Sequence, residues 1–309
     1  KARSPRDLGA GWDFDDVRDH YVRELHAVDP AMLRASDHAR YLALGRAATG
    51  EVMARAFAEW RRGRSPTRGA LVWFLRDLWP GAGWGLVDAH GVAKPCLHAL
   101  RRVLAPVAVT ITDEGGNGLA VHVVNDRPPP LDPRLRLVLY GEGEVVVGEG
   151  AVDVTVPAHA AIERPATSLF EGFLDLAFSY RFGPPQAQLV HASLLDGEAV
   201  LAEYSWFPVG YPPGIEHDVG LEASVDDVPA EGSQAIGQDL RVLTLSSRRF
   251  AQSVTIEVPG FQSDDNGFHM MPGQRRSVLL RAGPERRPGS ARGTVSALNA
   301  STHARFTIP

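Results

Sequence analysis

The chain has 309 residues, 44% hydrophobic and 22% charged, with a formal net charge of −5. That is the profile of a folded protein of two or three domains, and it excludes a disordered or fibrous chain. No apolar run approaches the ~18–20 residues of a membrane span, and Lys1–Ala10 is too polar for a signal peptide.

The charge is unevenly divided. Residues 1–105 hold 17 Lys/Arg against 12 Asp/Glu, and the remainder holds 15 against 25, so a domain boundary is expected near 105. No basic run interleaved with aromatics makes a case for nucleic acid. The basic residues are Arg apart from Lys1 and Lys94, which reads as the composition bias of a GC-rich bacterial genome. The single cysteine, Cys96, allows no intrachain disulfide and favours a reducing, cytoplasmic setting, with the periplasm or secretion left open. The first residue is Lys1, not Met, so the native N-terminus is expected upstream.

In chain order, Asp13–Val28 reads as a helix with Phe14, Val17, Tyr21, Val22 and Leu25 on one face, stopped by Pro30. Ser36–Arg62 follows as a longer helix with Ser36 as N-cap, and Gly50 is a point where it could split. The period then changes: Ala70–Leu75 is a continuous apolar run, expected as a strand buried on both faces. Residues 79–84 read as a loop and Pro95–Leu104 as a helix. From Pro106 the pattern is β: Val107–Thr112, Leu119–Asn125, Leu135–Tyr140, Glu144–Val147, Val152–Val156, Gln188–Leu194 and Val200–Trp206, with a helical or irregular insertion at Ser168–Phe173. After a linker at 210–214 come Gly220–Val225, Asp239–Ser246, Gln252–Val258, Arg276–Arg281, Gly293–Asn299 and Ala304–Ile308. Each set has the rhythm of a β-sandwich.

Most chemical motifs are missing. No phosphate loop, nucleophile elbow, zinc-protease helix or cysteine pair occurs, and His20, His26, His98 and His122 form no ligand spacing, so neither a metal nor a cofactor is expected. Asp264-Asp265-Asn266-Gly267 has a calcium-loop flavour but lacks the EF-hand alternation, and reads as a tight turn. Asn299-Ala300-Ser301 matches a glycosylation triplet, a pattern common by chance.

The informative stretch is Gly69-Ala70-Leu71-Val72-Trp73-Phe74-Leu75-Arg76-Asp77-Leu78-Trp79-Pro80, continued by Gly83-Trp84-Gly85-Leu86-Val87-Asp88 and Gly91, Lys94 and Pro95. It resembles the end of the eighth barrel strand and the following loop in the β-mannosidase branch of glycoside hydrolase family 2. A second stretch, Phe261-Gln262-Ser263-Asp264-Asp265-Asn266-Gly267-Phe268 with Pro272-Gly273, is similar to a motif of that family's last sandwich domain. Phe74 and Arg76 depart from the family pattern, which often has Gln and Asn there.

The resemblance implies an α+β multidomain chain. Residues 1–105 would be the mainly helical end of a (β/α)8 (TIM) barrel, and 106–213 and 214–309 two immunoglobulin-like β-sandwiches. The implied protein is a retaining exo-glycosidase acting on terminal β-mannosyl or related β-glycosyl residues, with an oligosaccharide or glycoside as its substrate.

Residues at the C-terminal end of a barrel strand face the active-site mouth, where an indole can lie against the C–H face of a pyranose. Trp73, Trp79 and Trp84 are the candidates for that contact, each with core packing as the alternative. Asp77 could accept from sugar hydroxyls or hold the loop, and Arg76 could clamp it through Asp77 or Asp88. Retaining hydrolysis needs two carboxyl groups about 5–5.5 Å apart. The implied family places both on earlier barrel strands, so they are expected upstream of Lys1, in a missing N-terminal part of the same enzyme. Glu51 and Glu59 lie in a helical pattern, where Glu51 and Arg55 form an ordinary i,i+4 pair. The competing reading is a non-catalytic glycan- or protein-binding scaffold.

Overall fold

The computed structural model describes residues 14–67, 69–81, 83–211, 214–227, 239–283 and 285–309. It opens with helices. α1 (Phe14–His26) buries Val22 and Leu25. Pro30 does more than stop it. Asp29 accepts from the N–H groups of Ala31 and Met32, and Pro30 starts a second helix, α2 (Pro30–Ser36). Proline suits that first turn because its missing N–H would have no partner there. Asp37, not Ser36, caps α3 (His38–Arg61) through the Arg40 N–H.

Gly50 does not split α3. A Cβ there would stand 3.3 Å from Ala99 Cβ, so glycine lets α4 (Pro95–Val103) pack closely across it. Tyr41 gathers the first three helices: its hydroxyl donates to Asp19 and accepts from Arg34, which also pairs with Asp19 at 2.5 Å.

Ala70–Leu75 is not a strand. The only ladder contacts described between α3 and α4 are the isolated bridges Arg76–Val87 and Val87–Ala93, and Leu71 is fully exposed. A strand needs a neighbour along its length to satisfy its backbone groups. Here the facing backbone supplies only a few bonds, among them Leu86 N–H to Phe74 O and Val87 N–H to Leu75 O.

The first β region pairs two sheets. One is β1 (Val107–Asp113), β2 (Leu119–Asn125) and β5 (Ala160–Pro165). The other runs β4 (Val146–Asp153), β3 (Arg134–Tyr140), β6 (Leu189–Asp196), β7 (Ala199–Trp206). Alternate residues Val109, Ile111, Val121 and Val123 meet Leu135, Leu137, Val190 and Leu194 in the core. The other face of β1 is also buried, at Thr110 and Thr112, with Thr112 Oγ1 bonded to His122 Nε2 at 2.8 Å. The C-terminal end of α3 is tied to this sheet by Arg62–Glu114 at 2.6 Å and, through Arg61, to Asp126 at 2.6 Å. The two short strands expected at 144–147 and 152–156 are one strand, β4. β5 was not foreseen, and the expected insertion is a single 3-10 turn at Ala166–Leu169.

The second β region pairs β12 (Phe268–Met270), β10 (Ala251–Glu257), β14 (Ala291–Ser296), β15 (Ala304–Ile308) with β11 (Phe261–Ser263), β13 (Arg275–Ala282), β9 (Leu240–Ser246), β8 (Glu222–Asp227). Leu243, Leu245, Val254, Met270, Leu280 and Val295 fill its core. Asp264–Gly267 is a turn between β11 and β12. Asn266 mimics a strand neighbour there, exchanging hydrogen bonds with the N–H and C=O of Ile256, and Gly267 takes a left-handed φ of +65°. Pro212 and Pro213 of the expected linker lie outside the described residues. No described helix is long and apolar enough to cross a membrane.

Candidate functional site

The loop between α3 and α4 carries all the sequence-predicted site residues. Its centre is Asp77, only 4% exposed. Asp77 Oδ1 accepts from the Gly85 N–H at 2.7 Å, and the Lys94 ammonium closes on Oδ2 while donating to Gly83 O at 3.2 Å. Burial is the largest influence on the Asp77 carboxyl and disfavours its charge. Lys94 and the Gly85 amide together outweigh burial and hold the group below the usual carboxylate range.

The glycines are part of this clasp. A Cβ on Gly85 would stand 2.5 Å from the Asp77 nitrogen, and one on Gly83 would collide with the Asp77 carboxylate. Asp88 makes a second small turn, its Oδ1 accepting from His90 and Val92 N–H at 2.9 Å each. Arg76 bonds neither Asp77 nor Asp88; it donates to Ala89 O at 2.8 Å.

Around this polar centre the apolar side chains point outward. Trp73 and Trp79 are each 80% exposed and Trp84 57%, with Leu71, Leu75 and Leu78 also exposed. Within the 70–75 run Val72 packs against the cluster of Ala54, Leu86, Cys96 and Leu100, and Phe74 is half-buried. Trp73 meets the Phe74 ring edge-on, centroids 6.2 Å apart. Asp77 therefore faces into the loop and the three indoles face solvent.

A second polar cluster was missed by the sequence reading. Where α3, α4 and both sandwiches meet, Glu51, Arg102, His191, Glu203, His269 and Arg276 help line a cavity of about 80 Å³. His269 Nε2 lies 3.2 Å from Glu51 Oε1; Arg102 and Arg276 reach Asp265 at 2.5 and 2.6 Å; Gln274 donates to Glu203 at 2.9 Å. Burial opposes ionisation of Glu51, but His269 and Arg55 outweigh it and bring the carboxyl down to about 2. Glu203 is likewise lowered: burial works against it, and His191, Arg276 and Gln274 prevail.

Two carboxylates held ionised supply no proton donor for glycoside cleavage near neutral pH. The cavity also falls well below the ~300 Å³ at which ligand pockets begin. Glu59 pairs with Arg62 at 2.9 Å. The sequence offered two of its parts, Glu51 as an i,i+4 partner of Arg55 and Asp264–Gly267 as a tight turn, and neither pointed to the seam. Among the described residues no group of three His, Cys, Asp or Glu is placed to hold a metal.

Residues 220–302 match the Ig_mannosidase family, an Ig-fold domain. Curated relatives cover most of the chain. Beta-mannosidase B of Aspergillus oryzae is 26% identical over 87% of it, and Beta-mannosidase B of Aspergillus fumigatus 32% identical over 90%. The chain resembles the C-terminal part of a family 2 β-mannosidase.

It spans about a third of those relatives' length, 32% and 33%. The fold of this β-mannosidase-like chain recurs in solved structures. The β-D-mannosidase of Dictyoglomus thermophilum has a TM-score of 0.68 and 18% identity, covering 87% of this chain and 30% of that one. The exo-chitosanase of Amycolatopsis orientalis, in complex with PNP-β-D-glucosamine, has a TM-score of 0.71 and 12% identity, covering 100% of this chain and 38% of that one.

Proposed function

We propose that the chain is the C-terminal portion of a retaining exo-glycosidase that hydrolyses terminal β-mannosyl or related β-glycosyl residues. On this reading the catalytic glutamates lie in an N-terminal part outside the chain, and the protein works in the cytoplasm. The observation that carries the proposal is the relatives named Beta-mannosidase B, which match along 87–90% of the chain.

The 69–94 loop supports it. Leu71, Leu75, Leu78 and Trp79 are all exposed, a gathering of large apolar side chains on one loop of the kind that marks an interaction surface. On this proposal residues 1–105 end a (β/α)8 barrel, with 106–213 and 214–309 as its two sandwiches, and 70–75 pairs with the remaining barrel strands. Trp73, Trp79 and Trp84 then stand at the barrel mouth as sugar contacts, and Asp77 with Lys94 sets the shape of their loop.

The test is hydrolysis of an aryl β-mannoside by this chain and by a longer protein containing it. Turnover by the longer protein alone is expected, and a panel of aryl β-galactoside, β-glucuronide and β-glucosaminide fixes the sugar. Binding without turnover in both would replace the proposal with the scaffold reading.

A further inference from the structure

One other surface carries large exposed rings. In the segment between β5 and β6, Phe173, Tyr180 and Phe182 are 63%, 49% and 81% exposed. The Tyr180 and Phe182 rings stack, centroids 5.8 Å apart at 26°, and Phe173 meets Tyr180 edge-on at 5.7 Å.

These rings are held in place. The Asp175 carboxylate accepts from the N–H groups of Ser179, Tyr180 and Arg181 at 2.8 to 3.0 Å. The Tyr180 hydroxyl donates to Gly116 O and Ser179 Oγ to Gly115 O, both at 2.8 Å, which fastens the segment to the β1–β2 loop. Phe178 and Arg181 take left-handed φ of +52° and +56°, a conformation that costs energy for such residues and persists where the surroundings impose it. Hydrogen bonds and backbone thus hold the three rings in solvent-exposed positions, against the tendency of apolar surface to turn inward.

We propose that this segment is a carbohydrate-binding surface, separate from the 69–94 loop, for neutral β-linked pyranose oligosaccharides. Ring faces pack against the C–H faces of sugars, and two stacked rings beside an edge-on third offer successive contacts along an extended glycan. Arg181 and Glu171, both exposed, supply donors and acceptors for hydroxyls at the rim.

Size argues against a protein occupant. At ~200 Å² per aromatic side chain, the three expose on the order of 400 Å², about half of the ~800 Å² that each partner buries in a stable complex. Charge argues against an anionic glycan, since residues 106–309 carry 15 basic and 25 acidic side chains. The inference goes beyond the hydrolase proposal, and the two tests fail independently.

The experiment is calorimetric titration of the chain with mannohexaose and with cellohexaose, repeated with Phe182→Ala, Phe173→Ala and, as a control, Met32→Ala after circular dichroism confirms folding. Saturable binding of either hexasaccharide is expected, weakened about three- to tenfold by each phenylalanine variant, the scale of one lost ring contact, and unchanged by Met32→Ala, an exposed side chain on α2. No heat with either sugar, wild-type affinity in both phenylalanine variants, or an equal loss in Met32→Ala overturns it. So does a concentration-dependent dimer in light scattering that Phe182→Ala abolishes, because the occupant would then be a second copy.

Discussion

His26→Phe isolates the acid response of the seam between α1 and the second sandwich. His26 is 5% exposed and stacks on Tyr211, ring centroids 5.1 Å apart at 19°. Its Nε2 is buried with no hydrogen-bond partner among the described residues. Burial is the main cause that lowers its pKa from 6.5 to about 4, with Glu51 pulling the other way. In the unfolded chain the ring takes up a proton near pH 6.5; in the folded chain it refuses one until about 4. The unfolded state therefore binds more protons between these values, and stability rises with pH across that window. The contribution is complete above 6.5 and is lost as pH falls through 4. At 1.36 kcal/mol per unit, the loss is about 3 kcal/mol. Guanidinium unfolding at pH 7, 5.5 and 4.5 should show a falling midpoint in the wild type. The fall should be shallower in His26→Phe, which keeps the ring stack without the titration. An equally steep fall in the variant, or an NMR titration of His26 near 6.5, refutes the reasoning.

Glu51→Gln should act lower on the scale. The wild-type carboxyl near 2 against an ordinary 4.5 gives stability present above 4.5 and lost as pH falls through 2, so the variant's acid unfolding curve should flatten between those values. Asp77→Ala removes the acceptor of the Gly85 N–H and leaves Lys94 unpaired. Because Lys94 is partly exposed and can turn to water, a local loss of about 2 kcal/mol is expected, read as faster hydrogen exchange at Gly85; exchange within a factor of two of wild type refutes it. Gly85→Ala should loosen the same clasp, its methyl meeting the nitrogen of residue 77 and the Val87 carbonyl as well as the carboxylate; because the backbone clashes outlast the carboxylate, the double variant should lose more than Asp77→Ala alone. Asn299 is 6% exposed and bonds both Gln252 N–H and Phe250 O at 2.8 Å. Asn299→Ala should cost about 2–3 kcal/mol in denaturant unfolding, and mass spectrometry of the chain from a glycosylating host should find Asn299 bare.

The central strands were legible because their inward residues alternate. Val107, Val109 and Ile111 on β1 announce themselves, as do Leu135, Leu137 and Leu139 on β3. Edge strands were not: β4 is mostly exposed, with Gly148 and Gly150 within it, and β5 reads Ala-Ala-Ile-Glu-Arg-Pro, without a strong alternation. Three-residue strands such as β11 and β12 are too short to show a period.

The 70–75 run misled for a different reason. A continuous apolar sequence reports what gains by burial, not whether a partner is beside it. The motif around it contained both Asp77 and Lys94, yet nothing local pairs residues 17 positions apart; that pairing requires the loop to close over Gly83 and Gly85. The seam around Glu51 depends on side chains from α3, α4, β6, β7, β12 and β13, so no window of sequence contains it.

Asp265 is gripped by Arg102 from α4 and by Arg276, which also lies 3.5 Å from Glu203 on β7. One carboxylate thereby serves as hub for the helical part and both sandwiches. Modular trimming of this architecture is consequently unsafe. Cutting away the terminal sandwich would strip Arg102 of its counter-charge and leave Glu51 without its imidazole neighbour, exposing a charged scar where the parent has a closed joint. The last hundred residues belong to the machine's chassis and cannot be treated as luggage.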